Sequence, residues 1–345
     1  MTIDIEQPEA LLAYLRATGR VGAAEQPAIR TLGGGVSNRV VLVERPSGEA
    51  WVLKQALRRL RVPVEWYSSP ERIHCEALAL RWLAQLTPAG TITPLVFEDP
   101  AQFLLAMRAA PEPHTAWKAA LLAGQVDAAY VEQYGSILAT LQRNSFLRAG
   151  ELAPLFNDRS FFETLRIEPY YVYTWTQLPA TGAFYDALIS ETRTRRQVLV
   201  HGDYSPKNVL IRAGRLILID HETAHFGDPA FDPGFALAHL LGKANHVAEG
   251  RDALLGAAVH FWRCYSEGLG AVPWLNGLEA RATRHALGTL LARVAGRSTL
   301  PYLTPQQRQA QQAAAFELIR QPPGTVAALA EQFARLIAAH ERALI

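Results

Sequence analysis

Cysteine is almost missing from this sequence, and with it goes any disulfide scaffold: only Cys75 and Cys264 occur, far apart in 345 residues. That scarcity predicts a reducing compartment, with both thiols as packing residues rather than ligands or nucleophiles. No apolar run reaches the ~18 residues needed to cross a bilayer. The opening MTIDIEQPEALLAYLRATG is acidic at its start and patterns as an amphipathic helix ended by Gly19, unlike a signal peptide. A cytoplasmic protein without a membrane partner is expected. Neither charge is in excess, since 34 Lys and Arg face 32 Asp and Glu and the basic residues form no long run. A nucleic-acid partner is therefore not expected. Repeats, low-complexity tracts and flexible linkers are missing too. What is there is 49% hydrophobic, enough for a sizeable core in one large or two medium domains.

The order of patterns divides the chain. Ala28–Leu32, VVLVE and WVLKQ read as strands separated by Gly33-Gly34-Gly35 and by Pro46-Ser47-Gly48. From Pro70 the spacing of Ile73, Ala77, Leu80 and Leu83 predicts a helix with one buried face. TPLVFED and FLLAMR, around Asp99-Pro100, predict a further hairpin. Beyond Pro111 long helical patterns dominate, interrupted by one β-rich island, VLVHGDYSPKNVLIRAGRLILIDHETAH. The break near 107–113 predicts a sheet-rich lobe over 1–108 and a helix-rich lobe over 109–345.

HETAH matches the H-E-x-x-H pattern of zinc peptidases, which works because a helix sets two histidines one turn apart on one face. Here LILID precedes it and Phe226-Gly227-Asp228-Pro229 follows, so the histidines are expected at a strand end, where they do not converge. No third ligand is spaced downstream in the metzincin manner. The island offers oxygen ligands instead. Asp203 and Asn208 lie five residues apart on a loop, and Asp220 closes the second strand of a hairpin turning at Ala213-Gly214. Convergence of these three side chains suits a hard cation such as Mg²⁺ rather than zinc.

HGDYSPKN, then LILID, then FGDPAFD resembles the catalytic and metal loops of the aminoglycoside phosphotransferase and choline kinase group, in order and with matching spacing. The resemblance implies an α+β, two-lobed protein-kinase-like fold, with a small β-rich N-lobe carrying one key helix and a larger, mainly helical C-lobe. It also implies an ATP- and Mg²⁺-dependent kinase. Asp203 would accept or orient the proton of the attacking hydroxyl, and Asn208 and Asp220 would hold the metal. His201 is expected to fix the loop, and Asp232 to tie the loop after Asp220 to the helix it begins. Lys54, within a strand, and Glu76, on the following helix, would pair as the phosphate clamp. LGGGVSNRVVLV occupies the phosphate-loop position, making Gly34, Gly35, Ser37 and Asn38 candidate nucleotide contacts, although G-x-G-x-x-G is incomplete. Met107 and Arg108, in FLLAMRAAP, are candidates for the connection that meets the base. No Walker sequence is present.

Two stretches resemble methylthioribose kinase in particular: VLKQALRRLRVPVEWYSSPERIHCEALAL, and Asp220-His221-Glu222, which resembles that family's D-P-E and adds Glu222 as a candidate metal ligand. Asn208 departs from that family, and LARVAGRSTLPYL sides with the aminoglycoside group. Charge bears on the acceptor. Residues 243–345 hold eleven basic and seven acidic residues, which disfavours a polycationic antibiotic and favours a neutral or anionic hydroxyl acceptor, sugar-like and with methylthioribose as the first guess. A choline-type aromatic cage from Trp175, Trp262, Tyr265 and Trp274 is an alternative, and so is a nucleotide-binding pseudokinase serving as an interaction module. A protein substrate is disfavoured because no activation segment ends in A-P-E. The expected partners are a nucleotide and a small hydroxyl compound, on a monomer or homodimer.

Overall fold

The computed structural model describes residues 2–342 except Gly34 and Pro63. After helix α1 (Pro8–Ala17), ended at Gly19 with φ +66°, the chain forms β1 (Ala28–Thr31), β2 (Asn38–Glu44) and β3 (Ala50–Ala56). Helix α2 (Arg72–Leu86) follows, then β4 (Leu95–Asp99) and β5 (Leu104–Arg108). The five strands make one antiparallel sheet in the order β1-β2-β3-β5-β4. Strand periodicity sorts its side chains. Val41, Val43, Trp51, Leu53, Leu104 and Ala106 pack one face against Ile5, Leu11 and Leu15. Residues one step away in register, Val52, Lys54 and Met107, therefore turn to the opposite face. That alternation puts an ammonium on the inner surface of the sheet.

The remaining strands are short: β6 (Thr115–Ala116), β7 (Val198–Val200), β8 (Val209–Arg212), β9 (Arg215–Leu218) and β10 (His225–Gly227). β8 and β9 form the expected hairpin, with Ala213 and Gly214 at φ +47° and +77° in its turn. β7 pairs with β10 and β6 with β8. Helices complete this half, among them α3 (Trp117–Leu122), Ala128–Leu147, Phe231–His246, Arg251–Leu269 and Leu278–Ala295. Phe231–His246 is buried on every side, and a Cβ on its Gly234 would lie 2.3 Å from the Cβ of His285, so glycine there permits close helix contact. Each fully buried Leu or Phe of this core contributes about 1.5–3 kcal/mol. Among the described residues no helix is long and apolar enough to cross a membrane. The β-rich first half and helical remainder are the two expected lobes.

Candidate active site

The two halves face each other across a cleft of about 1290 Å³, lined by residues from the glycine-containing turn, β3, the end of β5, the β7–β8 loop and the segment after β9. Lys54, buried on the inner face of β3, donates to Glu76 Oε1 at 2.7 Å and to Asp220 Oδ1 at 2.6 Å. The expected Lys54–Glu76 pair is therefore formed, and Asp220 shares it. Burial works against the ammonium, but Asp220, Glu76 and Glu222 outweigh it and hold Lys54 above the ordinary lysine range. Burial, with Asp220 and Glu222 beside it, lifts Glu76 above the usual carboxylate range despite the pull of Lys54. Asp220 goes the other way, held low by Lys54 first and Lys207 next against the effect of burial. Its backbone, at φ +69°, occupies the left-handed region that Asp tolerates better than most side chains, a local bend that ends the strand at the metal loop.

Beside Asp220, where the Ile219 N–H meets the Asn208 carbonyl at 3.0 Å, Asn208 Nδ2 donates to the Asp203 carbonyl at 3.0 Å and to Asp203 Oδ2 at 2.7 Å. Arg166 Nη2 reaches the same Oδ2 at 2.8 Å. Both contacts fall on one oxygen, which leaves Oδ1 for a ligand. Burial alone would raise this carboxyl; Arg166, then Lys207, bring it below the ordinary range. The loop is held by buried polar links. Asp232 Oδ2 and Oδ1 accept from the His201 and Gly202 N–H groups at 2.7 and 2.9 Å, while His201 Nε2 meets His221 Nδ1 at 3.0 Å. Gly202 is required at this point: its φ is +78°, and a Cβ would come 2.6 Å from Thr223 Oγ1.

Asp232 differs from expectation. It anchors the β7–β8 loop at His201 and Gly202 rather than the loop after Asp220, and Asp228 receives the Ala230 N–H near the helix start instead, at 3.0 Å. The HETAH histidines diverge as expected. His221 turns to His201, whereas His225 lies on β10, stacked on Phe162 at 4.0 Å with Nδ1 3.0 Å from the Thr223 carbonyl. Cys75 donates to the Ala224 carbonyl at 3.0 Å, and neither cysteine is bonded to the other.

Glu222 Oε2 accepts from Asn38 Nδ2 at 2.9 Å and from Arg72 Nε at 3.0 Å. Arg72 Nη2 also reaches the Ser37 and Leu57 carbonyls, so one guanidinium joins the loop after β9 to the glycine-containing turn. Gly35, Ser37 and Asn38 line the cleft, and a Cβ on Gly35 would lie 2.6 Å from the Asn38 carbonyl. Gly34 lies outside the described residues. Met107 and Arg108 also line the cleft, but the Arg108 and Ala109 N–H groups already meet the Pro94 and Ala50 carbonyls at 2.8 and 2.9 Å. Arg108 is left with its carbonyl and its side chain. Of the aromatic residues considered for a cage, Tyr265 and Trp274 are core residues.

Carboxylate oxygens of Glu76, Asp220 and Glu222 lie within 4.8 Å of one another. Three carboxylates here meet two cations, Lys54 and Arg72, and Glu76 Oε2 is buried without a partner. Oxygen donors without a thiolate, one of them buried and unpartnered, form a set that fits a hard divalent cation. Asp220 Oδ2, Glu222 and the amide oxygen of Asn208 are the donors not committed to Lys54. Arg72 and Arg166 were missed in the sequence. Arg72 had a signal, standing four residues before Glu76 on one helix face. Arg166 had none, because it sits in a π-helical stretch, Glu163–Val172, whose wider turn defeats 3.6-residue periodicity.

A family model described as "Phosphotransferase enzyme family" matches residues 28–275. The chain belongs to that family. Methylthioribose kinase 2 of Oryza sativa subsp. japonica is 28% identical over 265 residues, covering 67% of this chain and 61% of the relative. Methylthioribose kinase of Cronobacter sakazakii is 27% identical over 257 residues, covering 67% and 64%. The chain thus spans less than two thirds of the length of these relatives. Among solved structures, an amicoumacin kinase in complex with AMP-PNP, Ca²⁺ and Ami aligns over 93% of this chain and 96% of its own, with TM-score 0.60 and 15% identity. A choline/ethanolamine kinase family protein from Mesorhizobium loti aligns over 96% and 99%, with TM-score 0.52 and 16% identity. At those identities the structures bear out the kinase-like fold alone, while family membership supports the expected enzyme class, a small-molecule phosphotransferase.

Proposed function

We propose that this phosphotransferase moves the terminal phosphoryl group of ATP, with Mg²⁺, to a hydroxyl of a small sugar-like acceptor that is neutral or anionic. The observation that carries the reading is the placement of Lys54, shared by Glu76 and Asp220, across one cleft from Asp203, whose Oδ1 is open. Lys54 neutralises phosphate oxygens, and the amides of the turn around Gly35 to Asn38 approach the same anion. Asp220, Glu222 and Asn208 would hold the Mg²⁺, which supplies charge neutralisation on the phosphates. Asp203, fixed through Oδ2 by Arg166 and Asn208, aligns the acceptor hydroxyl and receives its proton late, as a low-affinity base suits a loose, dissociative transition state.

The test is nucleotide consumption and product mass with purified protein, starting with methylthioribose because the similar kinases carry that name, then related sugars and amino alcohols. An Asp203→Asn variant should bind nucleotide within a few-fold of the parent while turnover falls about 10²–10⁴-fold, the span of general acid–base effects. Retained turnover in that variant would remove Asp203 from the reaction.

A further inference from the structure

One set of charges is left without a counterpart. Lys243, on the helix Phe231–His246, is 1% exposed, and its Nζ makes one contact, to the His239 carbonyl at 3.2 Å. It stands 5.9 Å from the Tyr302 ring centroid, with Lys118 of α3 5.8 Å from the same centroid. Arg293 lines the cleft nearby. It commits only Nη1, to Tyr170 Oη at 3.0 Å and to the Ser298 carbonyl and Oγ at 2.6 and 2.8 Å, while its Nε is buried without a partner. Among the described residues no carboxylate pairs with Lys118, Lys243 or Arg293. Burial and the two neighbouring cations push the Lys243 ammonium down to about 7.

Among the described residues the other buried cations around the cleft are answered: Lys54 by two carboxylates, Arg72 by Glu222, Arg166 by Asp203. An unanswered buried lysine costs stability, and an apolar side chain of similar volume would not. Such a cost is retained where a ligand repays it. This patch is also continuous with the reaction centre. Lys207 influences both Asp203 and Lys118, and Arg166 and Arg293 flank the Tyr170 ring at 5.7 and 5.5 Å.

We propose that the acceptor carries a carboxylate or phosphate besides the hydroxyl that is phosphorylated, received by Arg293 and Lys118 with Lys243 behind them. This rests on the kinase reading above and narrows its acceptor to an anion. Arg293 offers its uncommitted guanidinium nitrogens to the anion, Lys118 adds a point charge, and Lys243 strengthens the field from its buried position. Polycationic and quaternary amine acceptors are repelled by the same wall.

The experiment begins with a cell metabolite extract separated by anion exchange into retained and unretained fractions. Each is incubated with ATP labelled at the γ-phosphate, Mg²⁺ and either the parent protein or Asp203→Asn. Asp203-dependent label in a small molecule of the retained fraction is the expected result. Label only in the unretained fraction, or methylthioribose used as efficiently as any retained compound, overturns the anionic acceptor and leaves the kinase reading standing. Absence of transfer in both fractions sinks the kinase reading and this inference with it. Treating the retained fraction with a phosphatase, removed by filtration beforehand, separates the two chemistries: a phosphate ester loses acceptor activity, a carboxylate keeps it. With the acceptor in hand, Arg293→Gln and Lys118→Gln should each raise its KM at least tenfold, with kcat within threefold and the nucleotide KM within twofold. Lys243→Met should raise thermal stability while raising the same KM. Unchanged acceptor KM in all three variants would refute the assignment.

Discussion

Replacing Lys54 by methionine is the most direct probe of the charge arrangement. The side chains of Lys54 and Glu76 are 8% and 0% exposed and 2.7 Å apart, and Asp220 Oδ1 is 2.6 Å from the same nitrogen. Removing one partner of a buried pair leaves the other uncompensated, at a cost of about 3–5 kcal/mol. Urea denaturation without nucleotide at pH 9, where the parent's Glu76 is ionised, should show that loss. The sign at lower pH follows from Glu76. Its carboxyl is already raised to about 7 by burial, and without Lys54 it rises further, so as pH falls below 9 the variant takes up this proton before the parent, which removes one orphan charge and narrows the gap. Adding Glu76→Gln should return about 1–3 kcal/mol of the loss, because the two residues are coupled. Turnover should fall at least about a hundredfold, the scale of losing one preorganised donor. A loss below about 1 kcal/mol, or additive effects in the double variant, would refute the reasoning, since both require the three groups to share one poorly solvated site.

Two further outcomes follow. Arg72→Met releases Glu222 and the Ser37 carbonyl together, so the nucleotide KM should rise about tenfold, equivalent to about 1.4 kcal/mol, and protection of the turn by nucleotide in hydrogen exchange should weaken. His225 is depressed to about 3 by burial first and Arg159 next, so the unfolded chain takes up its proton first. Its contribution is complete above about pH 6.5 and lost as pH falls toward the folded value, about 2 kcal/mol by pH 5. His225→Phe should flatten the pH dependence of the urea midpoint by that amount between pH 7.5 and 5; an unchanged slope would contradict a buried neutral imidazole.

The parts of the site that were legible in the sequence are those fixed locally. Asp203 and Asn208 share one loop, and Asp220 ends a hairpin whose turn residues are adjacent, whereas the pairing of Lys54 with Glu76 was expected only from the order of motifs that the resemblance supplied. The breakers around HETAH likewise ruled out a helical zinc site. What stayed hidden depends on separation. Asn38 and Glu222 meet across 184 positions, and Arg72 and Glu222 across 150. The Asp232 role was misassigned because helix-start logic sees only neighbouring N–H groups, whereas its carboxylate reaches back 31 residues to His201. The excess of basic residues after 243 was countable, but only tertiary packing gathers Lys243 and Arg293 with Lys118, which lies outside that segment.

The bonds from Glu222 to Asn38 and Arg72, and from Asp220 to Lys54, all run between the sheet half and the loop following β9. They work as a buried fastening between the two parts of the molecule. Separation of the halves must undo several charged contacts at once, so on the proposed kinase reading admission and departure of nucleotide become activated steps, steeply dependent on temperature. On that reading, unlatching joins bond making in setting the pace of turnover.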